Sequence, residues 1–212
     1  MKELNYGQVR AMLLRAADEI IQSKDLLTEI DSQIGDGDHG IGMERGMKKA
    51  KETLLSMETG ENVYDLFQAM GKTMLMSMGG ASGVIFGTLF LGGARNKPAS
   101  ATLDTAGMAA LMSDSLAQIK ERGKAQVGDK TMVDALEPAV EQMNALAPQG
   151  DWVEMMAQAA QAAQAGMEAT KQYQAKYGRA KSLMERAIGH QDAGATSTWI
   201  LLRAMADYVQ SL

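Results

Sequence analysis

Three aspartates, Asp31, Asp36 and Asp38, lie in or just before a glycine-rich segment that reads Gly35-Asp36-Gly37-Asp38-His39-Gly40. Glycine lets a backbone wrap closely around a phosphate, whereas a carboxylate repels one. The two tendencies are compatible if divalent metal ions bind between carboxylate and phosphate oxygens, because a hard cation takes oxygen ligands from both. The segment therefore predicts metal-dependent phosphate chemistry.

Three common nucleotide- or metal-binding motifs match the chain only superficially. G-x-G-x-x-G is formally present at Gly35–Gly40, but the preceding Glu29–Ile34 is not the buried apolar strand that a dinucleotide-binding turn follows. An EF-hand loop in the same segment would need an acidic residue where Met47 stands. A P-loop ending at Gly71-Lys72-Thr73 would need glycine where Leu66 stands. None of the three is predicted.

The composition excludes several classes of protein. With 212 residues, 46% of them hydrophobic, the chain can bury one core, so we expect a single domain over residues 1–212. The absence of cysteine excludes disulfides and cysteine nucleophiles and fits a reducing cytoplasm. A net charge of -5 and a pI near 5.1 argue against a nucleic-acid partner. No signal peptide or long apolar run is present, so we expect a soluble cytoplasmic protein with no membrane partner.

The spacing of apolar residues is helical along nearly the whole chain, and no alternating strand competes with it. It predicts an all-α fold of about eight amphipathic helices whose core is filled in part by eighteen methionines. Pro138 is expected to kink the sixth helix or to mark its early part, and Asp151 is expected to cap the seventh. The predicted helices span residues 6–30, 41–57, 62–77, 82–95, 103–121, 130–147, 152–176 and 195–210.

Glycine-rich segments occupy every second junction between these helices. Short connections make successive helices antiparallel, so alternate junctions lie at the same end of a bundle. The first, third, fifth and seventh junctions carry the glycines and the polar side chains, and they comprise residues 31–40, 79–83, 122–131 and 177–194. The sequence therefore predicts one site, built from four segments at one end of an up-down bundle.

Individual residues in these segments have alternative interpretations. The Gly79–Gly83 segment would place free amides and the Ser82 hydroxyl at a helix N-terminus, where phosphate binds favourably, or it would be only a turn with close packing. Arg179 would reach a phosphate from its junction, although most arginines are surface charges. Lys130 is given no role, because a lysine in a loop is usually exposed.

In their order and spacing, these motifs resemble a known family over nearly the whole chain. The family comprises the ADP-binding subunits of bacterial phosphoenolpyruvate-dependent dihydroxyacetone kinases and the equivalent C-terminal domains of single-chain ATP-dependent kinases. The motifs that carry the resemblance are Ile34-Gly35-Asp36-Gly37-Asp38-His39-Gly40, Gly79-Gly80-Ala81-Ser82-Gly83, Arg122-Gly123-Lys124-Ala125, Gly128-Asp129-Lys130-Thr131-Met132, Gly178-Arg179-Ala180 and Ile188-Gly189-His190-Gln191-Asp192.

The resemblance implies a barrel of eight antiparallel amphipathic helices with a nucleotide pocket at one end. It implies two Mg²⁺ ions held by Asp31, Asp36 and Asp38, and no catalytic side chain, since the phosphoryl relay runs through bound ADP or ATP. The nucleotide-binding residues that it implies are His39, Gly40, Ile41, Gly42, Ala81, Ser82, Gly123, Met132, Arg179, Asp192, Ala193 and Gly194.

The resemblance also implies a phosphotransferase with an alcohol group as acceptor. ADP would receive a phosphoryl group from a phosphohistidine donor subunit of the phosphotransferase system and pass it to dihydroxyacetone held on a separate substrate-binding subunit. Val84, Ala193 and Lys181–Ala187 depart from the family pattern, so a related ketose such as erythrulose stays open as the acceptor. Free ATP as the donor and a homodimer also stay open. Two other functions stay open: a magnesium-dependent hydrolase of an ADP-containing ligand, and a nucleotide-sensing interaction module without catalysis.

Overall fold

The structure, a computed structural model that describes residues 1–212, confirms the predicted all-α class. It contains nine α-helices, two short β-strands and three short 3-10 helices. The α-helices are α1 (Tyr6–Gln22), α2 (Lys24–Ile34), α3 (His39–Ser56), α4 (Tyr64–Ser77), α5 (Gly80–Ala94), α6 (Thr105–Gly123), α7 (Val133–Leu146), α8 (Trp152–Ala169) and α9 (Ala193–Gln210). The strands are β1 (Glu3–Asn5) and β2 (Thr102–Asp104), and the 3-10 helices span Ala147–Gln149, Thr170–Gln172 and Arg179–Ala187, the last of which is broken at Met184 (φ 53°, ψ -124°).

Eight of the α-helices form a closed barrel in which each helix packs against its neighbours in the chain. Helix α1 packs on α3, helices α3 to α9 then pack in sequence order, and α9 returns to α1. Helix α2 lies at one end of this ring, where it packs on α3 and α9. The predicted bundle of about eight up-down helices is therefore confirmed, with α2 as an addition to it.

The prediction of one continuous helix over residues 6–30 is wrong. Helix α1 ends at Gln22, and α2 begins at Lys24 after a break at Ser23, which has φ -86° and ψ 5°. The Ser23 N–H still donates to the Glu19 and Ile20 carbonyls, so the last turn of α1 keeps its backbone hydrogen bonds. Because the apolar spacing continues through this break, periodicity alone does not reveal it. The change of direction is what allows α2 to pack on both α3 and α9.

Smaller corrections concern the sixth and seventh predicted helices and the strands. Helix α7 begins at Val133 rather than at 130, and α8 ends at Ala169 rather than at 176, because turns of the site occupy the intervening residues. Strands β1 and β2 pair antiparallel, with Leu4 opposite Leu103. Three residues are too few to show an alternating pattern, so the sequence did not predict them.

Two local predictions are confirmed. Pro138 lies in the first half of α7. The Asp151 side chain caps α8 by accepting the N–H groups of Val153 and Glu154 at 3.0 and 3.2 Å. Such a cap satisfies amides that have no partner within the helix.

The apolar core runs through the barrel, and Trp152 and Phe67 are the largest fully buried side chains. The methionines fill much of this core as predicted, since all except Met1, Met57, Met76 and Met184 are buried. None of the helices combines the length and the apolar character that crossing a bilayer requires.

Helix α5 approaches its two neighbours at glycine positions. A Cβ atom on Gly71 of α4 would lie 2.5 Å from the Leu91 nitrogen, and one on Gly93 would lie 1.8 Å from the Leu111 oxygen of α6. The Gly93 N–H also donates to the Ser115 hydroxyl of α6 at 2.9 Å. Backbone contacts on both sides therefore hold α5 in place.

Candidate functional site

Helices α3, α5, α7 and α9 all begin at one end of the barrel, where the four glycine-rich junctions meet. Arg179 of the seventh junction places Nε 2.8 Å from Oδ2 of Asp36 in the first. The Tyr177 hydroxyl, also of the seventh junction, donates to the Lys124 carbonyl of the fifth at 2.9 Å. These contacts join the first, fifth and seventh junctions, and a Cβ atom on Gly123 of the fifth would lie 3.7 Å from Cδ1 of Ile85 in α5, the helix that begins at the third. The predicted convergence is therefore confirmed. Because helix N-termini carry partial positive charge, this end of the barrel favours anions.

The Asp31, Asp36 and Asp38 side chains form a cluster at this end. Each offers a carboxylate oxygen, and these oxygens lie within 4.8 Å of one another. Partial burial and the neighbouring carboxylates of Asp36 and Asp31 raise the pKa of Asp38, and Arg179 opposes this rise. A divalent cation would relieve such crowding of negative charge, and carboxylate oxygens are the ligands that a hard cation prefers. The three residues therefore fit a Mg²⁺ site.

The glycines of this segment are what allow the carboxylates to converge. A Cβ atom on Gly35 would lie 2.3 Å from Oδ1 of Asp31, so no other residue fits between α2 and the cluster without movement. Gly37 has φ +74°, a conformation that residues with a side chain rarely adopt. The alternation of glycine and aspartate in the sequence thus has a steric cause.

His39 begins α3 and connects the first junction to two other helices. Its side chain is buried, with Nε2 2.8 Å from the Ser197 hydroxyl of α9 and the ring centroid 5.9 Å from that of Phe86 in α5. Its backbone N–H donates to Oδ2 of Asp31 at 3.3 Å. Burial lowers the pKa of the imidazole, which is therefore neutral near pH 7. In this state His39 connects α3 to α9 and to the middle of α5.

The third junction presents open backbone. Gly79 and Gly80 have φ +74° and +61°, and a Cβ atom on either would meet nothing within 4 Å. Ala81 is exposed and Ser82 is half-buried in the first turn of α5, whose amides have no intrahelical partner. The Arg45 guanidinium donates to the Met78 carbonyl at 2.5 Å and so holds the end of α4 beside this segment. The geometry suits a phosphate group.

The other predicted site residues also lie at this end, with different exposures. Asp192 caps α9 by accepting the Ala195 N–H at 2.7 Å, and burial raises its pKa to about 7. A Cβ atom on Gly194 would lie 3.6 Å from the Met132 backbone nitrogen, which places the seventh junction against the fifth. Met132 and Ala193 are buried, whereas Gly123 is half-buried at the end of α6.

In the first turn of α3 the three predicted contacts differ. Gly40 is buried against α2, and a Cβ atom there would lie 2.2 Å from the Lys24 carbonyl oxygen. Ile41 is exposed, and Gly42 is half-buried with nothing within 4 Å of where its Cβ would be. Ile41 and Gly42 are thus accessible, while Gly40 contributes close packing.

The sequence did not reveal the residues that shape the fifth junction. The buried Asp134 carboxylate accepts the Gly128 N–H at 2.6 Å and the Thr131 N–H at 2.7 Å. Lys130, with φ +61°, is 2% exposed and donates to the Thr170 and His190 carbonyls. The spacing Thr131-x-x-Asp134 is that of a capping box and could have identified Asp134, but no local signal distinguishes Lys130 from an exposed lysine.

Comparison with known proteins places this arrangement in a family. A family model described as the DAK2 domain matches residues 33–207. The chain is 38% identical over 188 residues to the PEP-dependent dihydroxyacetone kinase 1, ADP-binding subunit DhaL, of Listeria innocua, covering 89% of each chain. It is 36% identical over 204 residues to the PEP-dependent dihydroxyacetone kinase, ADP-binding subunit DhaL, of Escherichia coli, covering 96% of this chain and 97% of that one.

A solved structure agrees with these relatives. The chain is similar to the dihydroxyacetone kinase from C. freundii, determined in complex with AMP-PNP and Mg²⁺, with a TM-score of 0.72 and 27% identity. The similarity covers 94% of this chain and 33% of the kinase chain, so this chain spans about a third of that enzyme. The sequence match, the barrel and the four-part site agree, and the chain belongs to the DAK2 domain family.

Proposed function

We propose that this chain is the nucleotide-binding subunit of a dihydroxyacetone kinase. It transfers a phosphoryl group, by way of Mg²⁺-bound ADP and ATP, from a phosphohistidine donor subunit of the phosphotransferase system to dihydroxyacetone on a separate substrate-binding subunit. This is a phosphotransferase reaction with an alcohol group as acceptor. The names of the relatives and the AMP-PNP and Mg²⁺ of the C. freundii kinase support the proposal.

The observation that carries the proposal is the position of the carboxylate cluster. Asp31, Asp36 and Asp38 bring their oxygens within 4.8 Å of one another at the end of the barrel where four helices begin. Helix N-termini favour phosphate and carboxylates favour a cation, so the two features suit a metal-bound nucleotide and neither suits an uncharged ligand.

Each group of the site has a role in this proposal. The three aspartates hold two Mg²⁺ ions, which would neutralise phosphate oxygens and align the transferred group. The amides that begin α5 and the Ser82 hydroxyl bind phosphate oxygens, and Arg179 exchanges its contact with Asp36 for a phosphate. Neutral His39 orients the start of α3 and does not take part in the chemistry, because its Nε2 is already hydrogen-bonded to the Ser197 hydroxyl.

The acceptor and donor sites lie on other polypeptides in this proposal. The chain covers nearly the whole length of the relatives named as ADP-binding subunits but only 33% of the C. freundii kinase chain. Because those relatives are named as subunits, the chain supplies the nucleotide site in this proposal and another subunit binds the hydroxyketone. Transfer between separate subunits needs an open site, which agrees with the exposure of Asp36, Asp38 and Arg179.

The test begins with the nucleotide. Freshly purified protein is denatured, the released nucleotide is identified by mass spectrometry, and its exchange with labelled nucleotide is timed in the presence of Mg²⁺. Slowly exchanging ADP is the expected result. Rapid exchange of ATP would favour an ATP-using kinase, turnover of nucleotide without partners would favour a hydrolase, and no affinity for either nucleotide would refute the proposal.

The second arm measures transfer. The chain is combined with a donor subunit and a substrate-binding subunit from a characterised dihydroxyacetone kinase, and phosphoryl transfer from phosphoenolpyruvate is compared with transfer from ATP. Dihydroxyacetone and erythrulose are supplied in parallel. We expect phosphoenolpyruvate and dihydroxyacetone to be preferred; preference for erythrulose would reassign the acceptor but retain the reaction class.

A further inference from the structure

Residues 170–192, called here the cover segment, lie over the carboxylate cluster. Arg179 of this segment contacts Asp36, and Nδ1 of His190 lies 2.9 Å from Oε1 of Gln33 in α2. A small apolar cluster beneath the segment, separate from the main core, supports it against α2; its buried members are Ile34, Ala175 and Ala187. The cover segment thus supplies Arg179 and Asp192 to the site while resting on the loop that carries the aspartates.

The two ends of the cover segment meet at one side chain. The Lys130 ammonium donates to the Thr170 carbonyl at the start of the segment at 2.6 Å, and to the His190 carbonyl near its end. The Asp192 N–H donates to the Thr170 hydroxyl at 3.0 Å, so a second hydrogen bond closes the same base. Lys130 therefore joins two backbone positions that the chain itself separates by most of the segment.

Burial of a lysine at this point requires an explanation, because desolvation of an ammonium group is costly. Lys130 is 2% exposed, and burial lowers its pKa, while the charges of Asp192 and Asp134 oppose that effect. The Thr170 carbonyl directly follows α8, where the helix dipole favours a cation. The Lys130 ammonium therefore lies beside the C-terminus of α8 and has two carbonyl acceptors, one at each end of the cover segment.

A second lysine also connects the cover segment to the fifth junction, but its own side chain is exposed. Lys176 of the cover segment pairs with Asp129, the neighbour of Lys130, at 2.5 Å, but its side chain is 66% exposed. Only the lysine end of this pair is open to solvent: the Asp129 side chain is 7% exposed and also accepts the Gln126 N–H at 2.8 Å, so the carboxylate keeps a hydrogen-bond donor when the lysine is removed. Two lysines therefore connect the fifth junction to the cover segment, and only Lys130 does so from a buried position.

We propose that Lys130 is a positioning residue that closes the base of the cover segment, keeps Arg179 and Asp192 at the site and thereby slows the departure of bound nucleotide. The effect on nucleotide rests on the proposed function, whereas the closure of the segment does not. The role is positional because Lys130 acts through the backbone of the cover segment.

Hydrogen–deuterium exchange of the nucleotide-free protein tests the closure. Lys130→Met removes the donors but keeps an apolar stem of similar length, Lys130→Arg keeps a cation with several donors, and Lys176→Met is the matched control. We expect Lys130→Met to exchange amides of residues 171–192 about tenfold faster than wild type or more, with peptides of α1 and α4 unchanged. Lys176→Met should stay within about twofold of wild type, and Lys130→Arg should lie closer to wild type than Lys130→Met does.

Dissociation of a fluorescent ADP analogue in the presence of Mg²⁺ tests the consequence. The dissociation rate should rise about tenfold or more in Lys130→Met, change little in Lys176→Met and be partly restored in Lys130→Arg. Unchanged exchange of residues 171–192 in Lys130→Met, or equal effects of the Met and Arg variants, would overturn the proposal. If Lys130→Met does not unfold cooperatively, Lys130→Gln, which replaces the ammonium with a shorter and neutral side chain, decides by the same criterion.

The two proposals fail separately. Wild-type protein that binds no nucleotide in the presence of Mg²⁺ would refute the proposed function, while faster exchange in Lys130→Met alone would still establish the closure. Normal nucleotide binding with identical exchange and dissociation in wild type and Lys130→Met would refute the role of Lys130 and leave the proposed function intact.

Discussion

The Nε atom of Arg179 lies 2.8 Å from Oδ2 of Asp36, so a cation from the cover segment offsets part of the charge of the carboxylate cluster. The Arg179 side chain is 76% exposed, and an exposed ion pair of this kind is weak. Arg179 can therefore leave Asp36 for a phosphate group without disturbing the core. The contact couples the position of the cover segment to the charge at the cluster.

Replacing one cluster carboxylate should abolish the metal-dependent activity. For Asp38→Asn we expect phosphoryl transfer to fall by about 100-fold or more, because a neutral amide is a poor ligand for Mg²⁺. The fold should be retained, since Asp38 is exposed. Transfer assays and calorimetric titration with Mg²⁺ and ADP measure the two effects. Asp25→Asn on α2, where the side chain is 97% exposed, is the control, and full activity of Asp38→Asn would refute the metal assignment.

Removal of the Arg179 guanidinium should affect transfer but not stability. Arg179→Met is expected to reduce the transfer rate by about tenfold or more, because a charge-assisted contact to phosphate is lost. The free energy of unfolding of Arg179→Met, measured from its denaturation midpoint, should stay within about 0.5 kcal/mol of the wild-type value. The matched control is Arg186→Met, an exposed arginine of the same segment, which should transfer normally. Equal losses in both variants would show that Arg179 has no specific role.

The stability of the protein should depend on pH through Asp192. Burial raises the pKa of this carboxyl to about 7 from an ordinary value of 3.8, so the native state retains a proton that the unfolded chain has released. The contribution of Asp192 to stability therefore falls as pH rises between about 4 and 7. Asp192→Asn keeps an acceptor for the Ala195 N–H and cannot ionise.

Relative to wild type, Asp192→Asn should accordingly gain roughly 2–4 kcal/mol of stability between pH 4.5 and 7.5. Urea denaturation across this range measures the difference. Burial lowers the pKa of His39, so the contribution of His39 to stability falls as pH decreases below about 6.5. Because both proteins contain His39, this contribution cancels in the comparison. A constant difference between the two proteins at all pH values would show that Asp192 titrates normally.

Two glycines of the first turn of α3 should respond oppositely to alanine. A Cβ on residue 40 would lie 2.2 Å from the Lys24 carbonyl oxygen, and because this oxygen belongs to the backbone, Gly40→Ala should cost about 1–3 kcal/mol. A Cβ on residue 42 meets nothing within 4 Å, so Gly42→Ala should gain about 0.5–1 kcal/mol from helix propensity. Thermal denaturation of the nucleotide-free variants compares them. Equal destabilisation by both would contradict the close contact of α3 with α2.

The sequence predicted the up-down helices and the convergence of four junctions because both follow from local rules, whereas the barrel was implied by the family resemblance. Apolar periodicity identifies amphipathic helices, and short connections alternate their direction, so Asp36 and Arg179 were expected at the same end of the bundle, although their direct contact was not predicted. The carboxylate cluster was likewise predictable, since Asp31, Asp36 and Asp38 are close in the chain.

The parts that could not be predicted depend on tertiary contacts. The break at Ser23 has no signal in the apolar pattern, because α2 stays amphipathic while it turns toward α9. The burial of Lys130 depends on carbonyls contributed by Thr170 and His190, far along the chain. Neither local propensity nor motif spacing contains that information.

The close backbone packing of α5 divides the site into a preorganised half and an adjustable half. Gly71 and Gly93 leave α5 no room to rotate or slide, so the amides after Gly79 are held at a constant position before any ligand arrives. The cover segment, by contrast, is held at its base by the buried Lys130, but between its ends it rests on a few small side chains and exposed polar contacts. Changes during evolution that retune ligand lifetime would therefore accumulate in residues 170–192, while the start of α5, which we propose binds phosphate, would tolerate almost none.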